Sequence, residues 1–209
     1  MYKVGITGGI GSGKTTVCKV FEVLGIPVFY ADTVAKEIMV RDELLINGVK
    51  EVFGNESYFS DGTLNNKHIA AIVFNNQTEL AKLNALVHPA VFRAFDTWEA
   101  EVNHAVPYTL KEAALLFESG SYEMCDTTIL VTAPIKTRIQ RVMRRDGVAA
   151  EQVKARMDKQ FSDEEKAKMA NYFIQNDETQ SIIQQVLALH QQFLKKAEDT
   201  RLLNIPSSK

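Results

Sequence analysis

Cysteine is scarce: Cys18 and Cys125 are the only two in 209 residues. Two distant cysteines make neither a disulfide framework nor a zinc site. Both read as reduced, mostly buried thiols of a cytosolic protein. No run approaches 18 apolar residues, so no membrane-spanning helix is expected. The opening residues, Met1-Tyr2-Lys3-Val4-Gly5-Ile6-Thr7, lack the basic stretch and apolar core of a signal peptide. An excess of one charge is also missing, with 24 Lys and Arg against 26 Asp and Glu, a net charge of −2 and a pI near 6.1. No broad positive field is present to hold nucleic acid or an anionic membrane surface, so any basic function is local. Repeats, low-complexity tracts and long linkers are absent. What remains is an ordinary globular composition, 45% hydrophobic and 24% charged, on a chain long enough to bury a sizeable core. One domain with inserted lobes is the simplest organisation.

The order of segments points to a parallel α/β sheet. Lys3 to Thr7 is short and apolar and reads as a strand. Residues 8–13 hold four glycines in six positions and cannot be regular structure. A helix follows from Lys14, because Val17, Val20, Phe21 and Leu24 fall at i, i+3, i+4 and i+7. Gly25 stops it, and Ile26 to Ala31 reads as a second strand. Strand, loop, helix, strand favours a parallel α/β sheet. The middle is largely helical: a start at Asp32 to Arg41, a helix capped by Asn65 or Asn66, another ending before Pro89, and a further one from Ala90 to Val102. Strands resume at Tyr108 to Ala113 and Thr127 to Thr132. Pro134 precedes a basic helix, Lys136 to Arg145. Gln152 to Phe161 and Glu164 to Tyr172 are polar helical stretches, and Phe173-Ile174 is a last short strand. Ser181 to Lys196 closes the chain, with Ile182, Ile183, Val186, Leu187, Phe193 and Leu194 on one face.

Gly8-Gly9-Ile10-Gly11-Ser12-Gly13-Lys14-Thr15 satisfies G-x-x-x-x-G-K-[ST] between a strand and a helix. Glycines let backbone N–H groups converge on phosphate oxygens, and the helix N-terminus adds partial positive charge. Lys14 can reach the β- and γ-phosphates, and the Thr15 hydroxyl is placed for Mg²⁺. The pattern predicts binding of ATP or GTP through residues 9–16, including Gly9, Ile10, Gly11, Ser12, Gly13, Lys14, Thr15 and Thr16. It does not say what accepts the phosphate. A GTPase needs N/T-K-x-D, and Asn66-Lys67-His68-Ile69 lacks the Asp. Large ATPases show an apolar strand ending in Asp-Glu, and none appears. A short chain with this loop first and a basic helix late fits a small-molecule kinase.

Several stretches then resemble the dephospho-CoA kinase family: Val4 to Lys14, Tyr30-Ala31-Asp32-Thr33-Val34-Ala35, Leu83 to Val91 around His88-Pro89, Leu115-Leu116-Phe117-Glu118-Ser119, Arg141 with Arg145-Asp146, Arg156 to Gln160, and Asn176. They keep the family order over about Val4 to Asp177. Departures are Ala114 where Pro is usual, Asn66 for a common Arg, Asn171 for a common Asp, and Glu112 at a position of mixed usage. The resemblance implies a P-loop kinase fold, a mainly parallel sheet flanked by helices. The expected layout is a nucleotide core at about 1–32, 105–135 and 166–209, a helical substrate lobe at about 33–104 and a lid at about 136–165. It implies transfer of the γ-phosphate of ATP to the 3′-hydroxyl of dephospho-CoA, with Mg²⁺, in the cytoplasm. The alternatives are another small-molecule kinase, such as a nucleoside monophosphate kinase, and a nucleotide-binding switch without phosphotransfer. Neither nucleic acid nor membrane is an expected partner, and the oligomeric state is left open.

The resemblance also implies roles. Asp32 accepts or orients the attacking hydroxyl, although an Asp there is equally a helix cap for a helix from Thr33. Arg141 and Arg145, at i and i+4, become lid residues that offset charge on the transferring phosphate, where a basic face is otherwise a solvated one. Arg138 and Arg144 read as solubility or salt-bridge residues. Asn176 falls near the adenine. His88 and Leu115 border the dephospho-CoA pocket. Glu112, charged in an apolar strand, joins Thr15 at the metal or pairs with Lys111. His68, His104 and His190 lack metal-ligand spacing and read as surface residues.

Overall fold

The first apolar segment forms β1 (Tyr2–Thr7) at the centre of a five-stranded sheet in the computed structural model, which describes residues 1–74, 76–103 and 105–203. The other strands are β2 (Val28–Tyr30), β3 (Tyr108–Glu112), β4 (Thr127–Thr132) and β5 (Tyr172–Gln175). The order is β2-β3-β1-β4-β5, and all four pairings are parallel. A parallel sheet is covered on both faces, which is why β1, β3 and β4 are nearly continuous buried runs. The register sets Glu112 beside both Ile6 and Tyr30, so its carboxylate stands at the carboxyl edge of the sheet.

The chain divides into two compact units, Met1–Tyr30 with Val102–Lys209, and Ala31–Glu101. In the first, α1 (Lys14–Val23) and α9 (Ile182–Leu203) cover one sheet face. Val17, Cys18 and Phe21 meet Val4, Ile6, Tyr108 and Ile129 there, and Phe193 lies edge-on to Tyr172 at 5.2 Å and to Tyr108 at 5.6 Å. The buried stripe of α9 is Val186, Leu189, Phe193 and Ala197. Ile183 and Leu187, expected on that face, are exposed, because a 3.6-residue period carries them off the stripe. On the opposite face Leu116 and Cys125 approach Gly5 so closely that a Cβ there would sit 2.8 Å from Leu116 Cδ2.

The basic stretch is α6 (Ile135–Asp146), followed by α7 (Ala150–Met157) and α8 (Asp163–Met169). Ser162 and Glu165 form a capping box that starts α8. The helix does not run on to Tyr172. Asn171 Oδ1 accepts the Thr128 N–H at 2.9 Å, which ties the chain to β4 and turns Tyr172 into the first residue of β5.

Among the described residues the second unit holds four α-helices, α2 (Ala31–Ile38), α3 (Glu43–Phe53), α4 (Asn66–Val73) and α5 (Gln77–Glu101), and a short 3-10 turn at Asn55–Ser57. Its core is Met39, Leu45, Val49, Phe53, Tyr58, Ile69 and Ala90. The Asp42 carboxylate caps α3 by accepting the Leu45 N–H. The Asn65 side chain caps α4 by accepting the His68 N–H. Helix α5 does not end before Pro89 but carries it inside. The proline forfeits one i→i−4 bond to the Ala85 carbonyl, and burial of Ala90, Val91 and Phe95 holds the next turns in place. Among the described residues no helix is long and apolar enough to cross a membrane.

Candidate active site

The loop between β1 and α1 is shaped to receive an anion. Gly13 holds the N-cap of α1 in the left-handed region, φ 95°, and no side chain caps the first turn. A helix start without a cap presents N–H groups to an incoming phosphate. A side chain at Gly13 would be strained by its φ and would also collide with the Asn176 amide. Lys14 folds back along the loop, its Nζ donating to the Gly8 carbonyl at 2.9 Å and standing 3.8 Å from Glu112 Oε1. Glu112 thus faces Lys14, while Lys111 Nζ lies 3.2 Å from Met124 Sδ. Thr15 and Thr16 are exposed on the first turn of α1. Beneath the loop, burial and then the Glu112 charge push the Cys18 thiol well above its ordinary pKa, so it stays protonated.

Helix α6 is locked against this loop by Arg138. Its guanidinium donates through Nε to the Ile10 carbonyl at 3.0 Å and through Nη1 to both Asp163 oxygens at 3.0 and 2.8 Å. The residue is 4% exposed. A Cβ on Gly9 would lie 2.5 Å from Arg138 Cζ, so this glycine makes room for the arginine. Gln160 Oε1 accepts the Ile10 N–H at 2.9 Å. Of the two roles the sequence offers Arg138, solubility or a salt bridge, the fold uses the salt bridge, and the side chain is buried rather than solvated. The signal for its burial was weak, since four arginines within eight residues look alike. Nothing in the polar stretch around Lys166 signals its burial. The residue is fully buried, donates to the Ala114 carbonyl at 3.0 Å and pairs with Glu118 at 3.0 Å, which pins the turn that carries Leu115.

Arg141 sits one turn along α6. Its Nη2 donates to the Asn176 carbonyl at 3.3 Å and approaches Glu178 at 3.8 Å. Its Nη1 is buried without a hydrogen-bond partner among the described residues and lies within 4 Å of where a Gly13 Cβ would be. Asn176 in turn donates to the Ser12 carbonyl at 2.8 Å. Loop, Lys14, Glu112, Arg141 and Asn176 are therefore gathered at one sheet edge. Arg145 is not part of that set. It is exposed and forked onto Asp146, which also receives Arg156 at 2.8 Å. Hydrogen bonding from Arg145 brings Asp146 down to about 2. Leu115 is on the turn after β3 and partly exposed.

Asp32 and His88 belong to the helical unit. Asp32 lies inside the first turn of α2, which begins at Ala31, so it is not the residue before a helix from Thr33. Its side chain is exposed. His88 is half-buried on α5, and burial lowers its pKa. Two histidines read as surface residues have structural partners instead. His190 Nδ1 is 2.6 Å from the Tyr108 hydroxyl, and His68 Nε2 is 3.0 Å from the Phe53 carbonyl. His104 lies outside the described residues.

Residues 2–181 match the family model described as dephospho-CoA kinase. A dephospho-CoA kinase of Salinibacter ruber is 44% identical over 180 residues, 86% of this chain and 90% of the relative. A Thermus thermophilus protein of known crystal structure superposes with a TM-score of 0.80 at 33% identity, over 91% of this chain and 96% of that one. The Campylobacter jejuni dephospho-CoA kinase superposes with a TM-score of 0.65 at 26% identity, over 93% and 98%.

Proposed function

The chain belongs to the dephospho-CoA kinase family, and from this premise we propose how its residues move the γ-phosphate of ATP to the ribose 3′-hydroxyl of dephospho-CoA. The family match favours neither a nucleoside monophosphate kinase nor a nucleotide switch. The reaction passes through a loose transition state with charge spread over the transferring oxygens, so positioning and charge compensation carry the catalysis. Residues 9–16 cradle the ATP phosphates with backbone N–H groups. Lys14 leaves the Gly8 carbonyl for the phosphates. The observation that carries this reading is Arg141 Nη1, a buried donor with no partner among the described residues, held beside the loop by Asn176. An unsatisfied buried guanidinium N–H is costly unless a ligand satisfies it, and a phosphate oxygen does so with charge assistance. Asn176 doubles as a contact to the adenine end of the nucleotide. Arg145 joins from the far end of the same helix by exchanging Asp146 for phosphate, as the part of the segment at about 136–165 between the Arg138 and Gln160 anchors closes as a lid.

The donor set also fits a magnesium ion. Mg²⁺ takes one or two protein oxygens and completes its shell with water and phosphate. The exposed Thr15 hydroxyl and the buried Glu112 carboxylate are hard oxygen donors of that kind, and Glu112 otherwise has Lys14 as a neighbour. When bound, the ion would neutralise charge on the phosphates. Asp32, in the helical unit Ala31–Glu101, orients the 3′-hydroxyl or accepts its proton. His88 and Leu115 border the acceptor. The two free thiols are in keeping with a reducing, cytoplasmic setting.

ADP release with Mg²⁺-ATP and dephospho-CoA, AMP, CMP, shikimate or no acceptor tests the reading. Turnover only with dephospho-CoA, giving a product heavier by one phosphate, is expected. Asp32→Asn is expected to fold normally and turn over at least ~100-fold more slowly. Turnover of that variant near the wild-type rate would remove Asp32 from the mechanism.

A further inference from the structure

A ring of hydrogen bonds leaves the phosphate loop, runs through two charged side chains and returns to it. Thr7, the residue before Gly8, donates through Oγ1 to the Ala114 carbonyl at 3.4 Å. The same carbonyl accepts Lys166 Nζ at 3.0 Å. Lys166 Nζ also meets Glu118 Oε1 at 3.0 Å, and that oxygen accepts the Phe161 N–H at 2.8 Å. Phe161 follows Gln160, whose Oε1 accepts the Ile10 N–H at 2.9 Å. The ring thus starts at one end of the loop and closes on its middle. On the way it passes the turn after β3 and the end of the segment at about 136–165.

The pair at the centre of the ring is a poor stabiliser by its own geometry. A buried ion pair recovers its desolvation cost only where the remaining lone pairs are also satisfied. Lys166 is fully buried and the Glu118 side chain is 13% exposed. Yet both bonds fall on Oε1, while Oε2 is buried with no partner among the described residues. A carboxylate placed for stability alone would use both oxygens. Bringing two donors to one atom instead ties the Phe161 backbone to α8. Through Ala114 it also ties Phe161 to the end of β3, where Glu112 stands two residues earlier.

We propose that Lys166 and Glu118 are positioning residues for phosphoryl transfer. They fix the backbone at Phe161, and with it the reach of Gln160 to the loop and the point on which the lid turns. A misplacement of about 1 Å at a reacting group can cost about 100-fold in rate. A badly seated lid also admits water, which then takes the phosphoryl group in place of the acceptor hydroxyl. The proposal rests on the kinase reading above, with residues 9–16 as the cradle and the segment at about 136–165 as the lid.

Two double variants of the full-length protein test it. The first, Glu118→Leu with Lys166→Met, replaces the pair by apolar side chains of similar volume, a change that often leaves stability intact. The second, Glu118→Gln with Lys166→Met, removes the same charges but keeps an oxygen for the Phe161 N–H. ADP and phosphorylated dephospho-CoA are counted in the same reaction, and circular dichroism checks the fold. The first double variant is expected to fold and to phosphorylate dephospho-CoA at least ~tenfold more slowly. It should release at least ~fivefold more ADP per phosphorylated acceptor than the wild-type protein. The second is expected to bring that ratio back to within ~twofold of wild type, because the Phe161 anchor is restored. A folded first variant with the wild-type rate and ratio would overturn the positioning role. So would two double variants with equally raised ratios, because the anchor at Phe161 would then not matter. If the first variant does not fold, Gln160→Ala cuts the ring at a partly exposed side chain and decides the matter. A raised ratio there upholds the proposal, and a wild-type ratio overturns it. Absence of dephospho-CoA phosphorylation by the wild-type protein would remove the kinase reading and the ring's role together.

Discussion

If Gly9 is glycine because Arg138 must pass over it, then replacing the glycine and removing the arginine should damage the protein through the same interaction. Gly9 is not at a positive φ, so alanine there brings no backbone strain, only a collision with the guanidinium. That guanidinium is not free to swing aside, because it is forked onto Asp163 and bonded to the Ile10 carbonyl. Gly9→Ala must therefore break the Arg138 contacts. Breaking a buried ion pair by losing one partner costs about 3–5 kcal/mol. Asp163 retains 29% exposure and can rehydrate, which favours the lower end, about 3 kcal/mol. Arg138→Ala should cost about the same by direct removal. In the Arg138→Ala background, Gly9→Ala should then cost less than about 0.5 kcal/mol, a coupling of about 2 kcal/mol or more in the double-mutant cycle.

Urea unfolding followed by fluorescence and by circular dichroism supplies the four free energies. For a chain of this size, 1 kcal/mol shifts Tm by about 2–4 °C, so each single variant should melt about 6–12 °C low and the double variant no lower. Gly13→Ala is the control. Its cost has a backbone part, from φ 95°, and an Asn176 part, and Arg138→Ala should relieve neither. Additive losses for Gly9 and Arg138, agreeing within about 0.5 kcal/mol, would refute the reasoning and return Gly9 to the phosphate as its only explanation.

Local signals in the sequence were strong where one short segment fixes its own geometry. Four glycines before Lys14 and an i, i+3, i+4, i+7 apolar stripe after it define β1, the loop and α1 without tertiary help. A cap at Asn65 or Asn66, of which the fold uses Asn65, and the basic helix after Pro134 are legible for the same reason. What was not legible depends on partners far away in the chain. Pro89 signals a helix end locally, yet Ala90, Val91 and Phe95 bury the continuation, so α5 stays one helix. Helix α3 begins at an Asp cap and carries Leu45, Val49 and Phe53 inward, a pattern present in the sequence but overshadowed by two better-marked helices. Arg138 and Arg145 look alike seven residues apart, but one is 128 residues from its carbonyl partner in sequence and the other bonds its own neighbour. Only the fold distinguishes the buried clamp from the exposed pair.

Two further outcomes follow from the site and its support. Arg141→Ala removes the orphaned donor beside the loop and should lower kcat by ~100-fold or more while the KM for ATP changes little, because the donor is needed most as charge shifts in transfer. An equal rise in the KM for ATP with kcat preserved would make Arg141 a nucleotide-binding group and not a catalytic one. His190 gives a pH dependence whose sign is fixed by its burial against Tyr108. Burial lowers its folded-state pKa below the unfolded value of about 6.5, so the unfolded chain binds the extra proton first. The contribution of His190 to stability is then complete above about pH 6.5 and is lost as pH falls from there through the folded-state pKa. Nδ1 and the Tyr108 hydroxyl share a hydrogen bond at 2.6 Å, so a change in the imidazole's protonation is felt at that contact. Urea midpoints measured at pH 7.5 and 5.5 should fall for the wild-type protein, and His190→Gln should remove part of that fall. The difference between the two proteins is the quantity to read, because burial also lowers the pKa of His88 and adds its own slope to both. An identical pH slope in wild type and His190→Gln would show that the Tyr108–His190 pair does not sense protons at all.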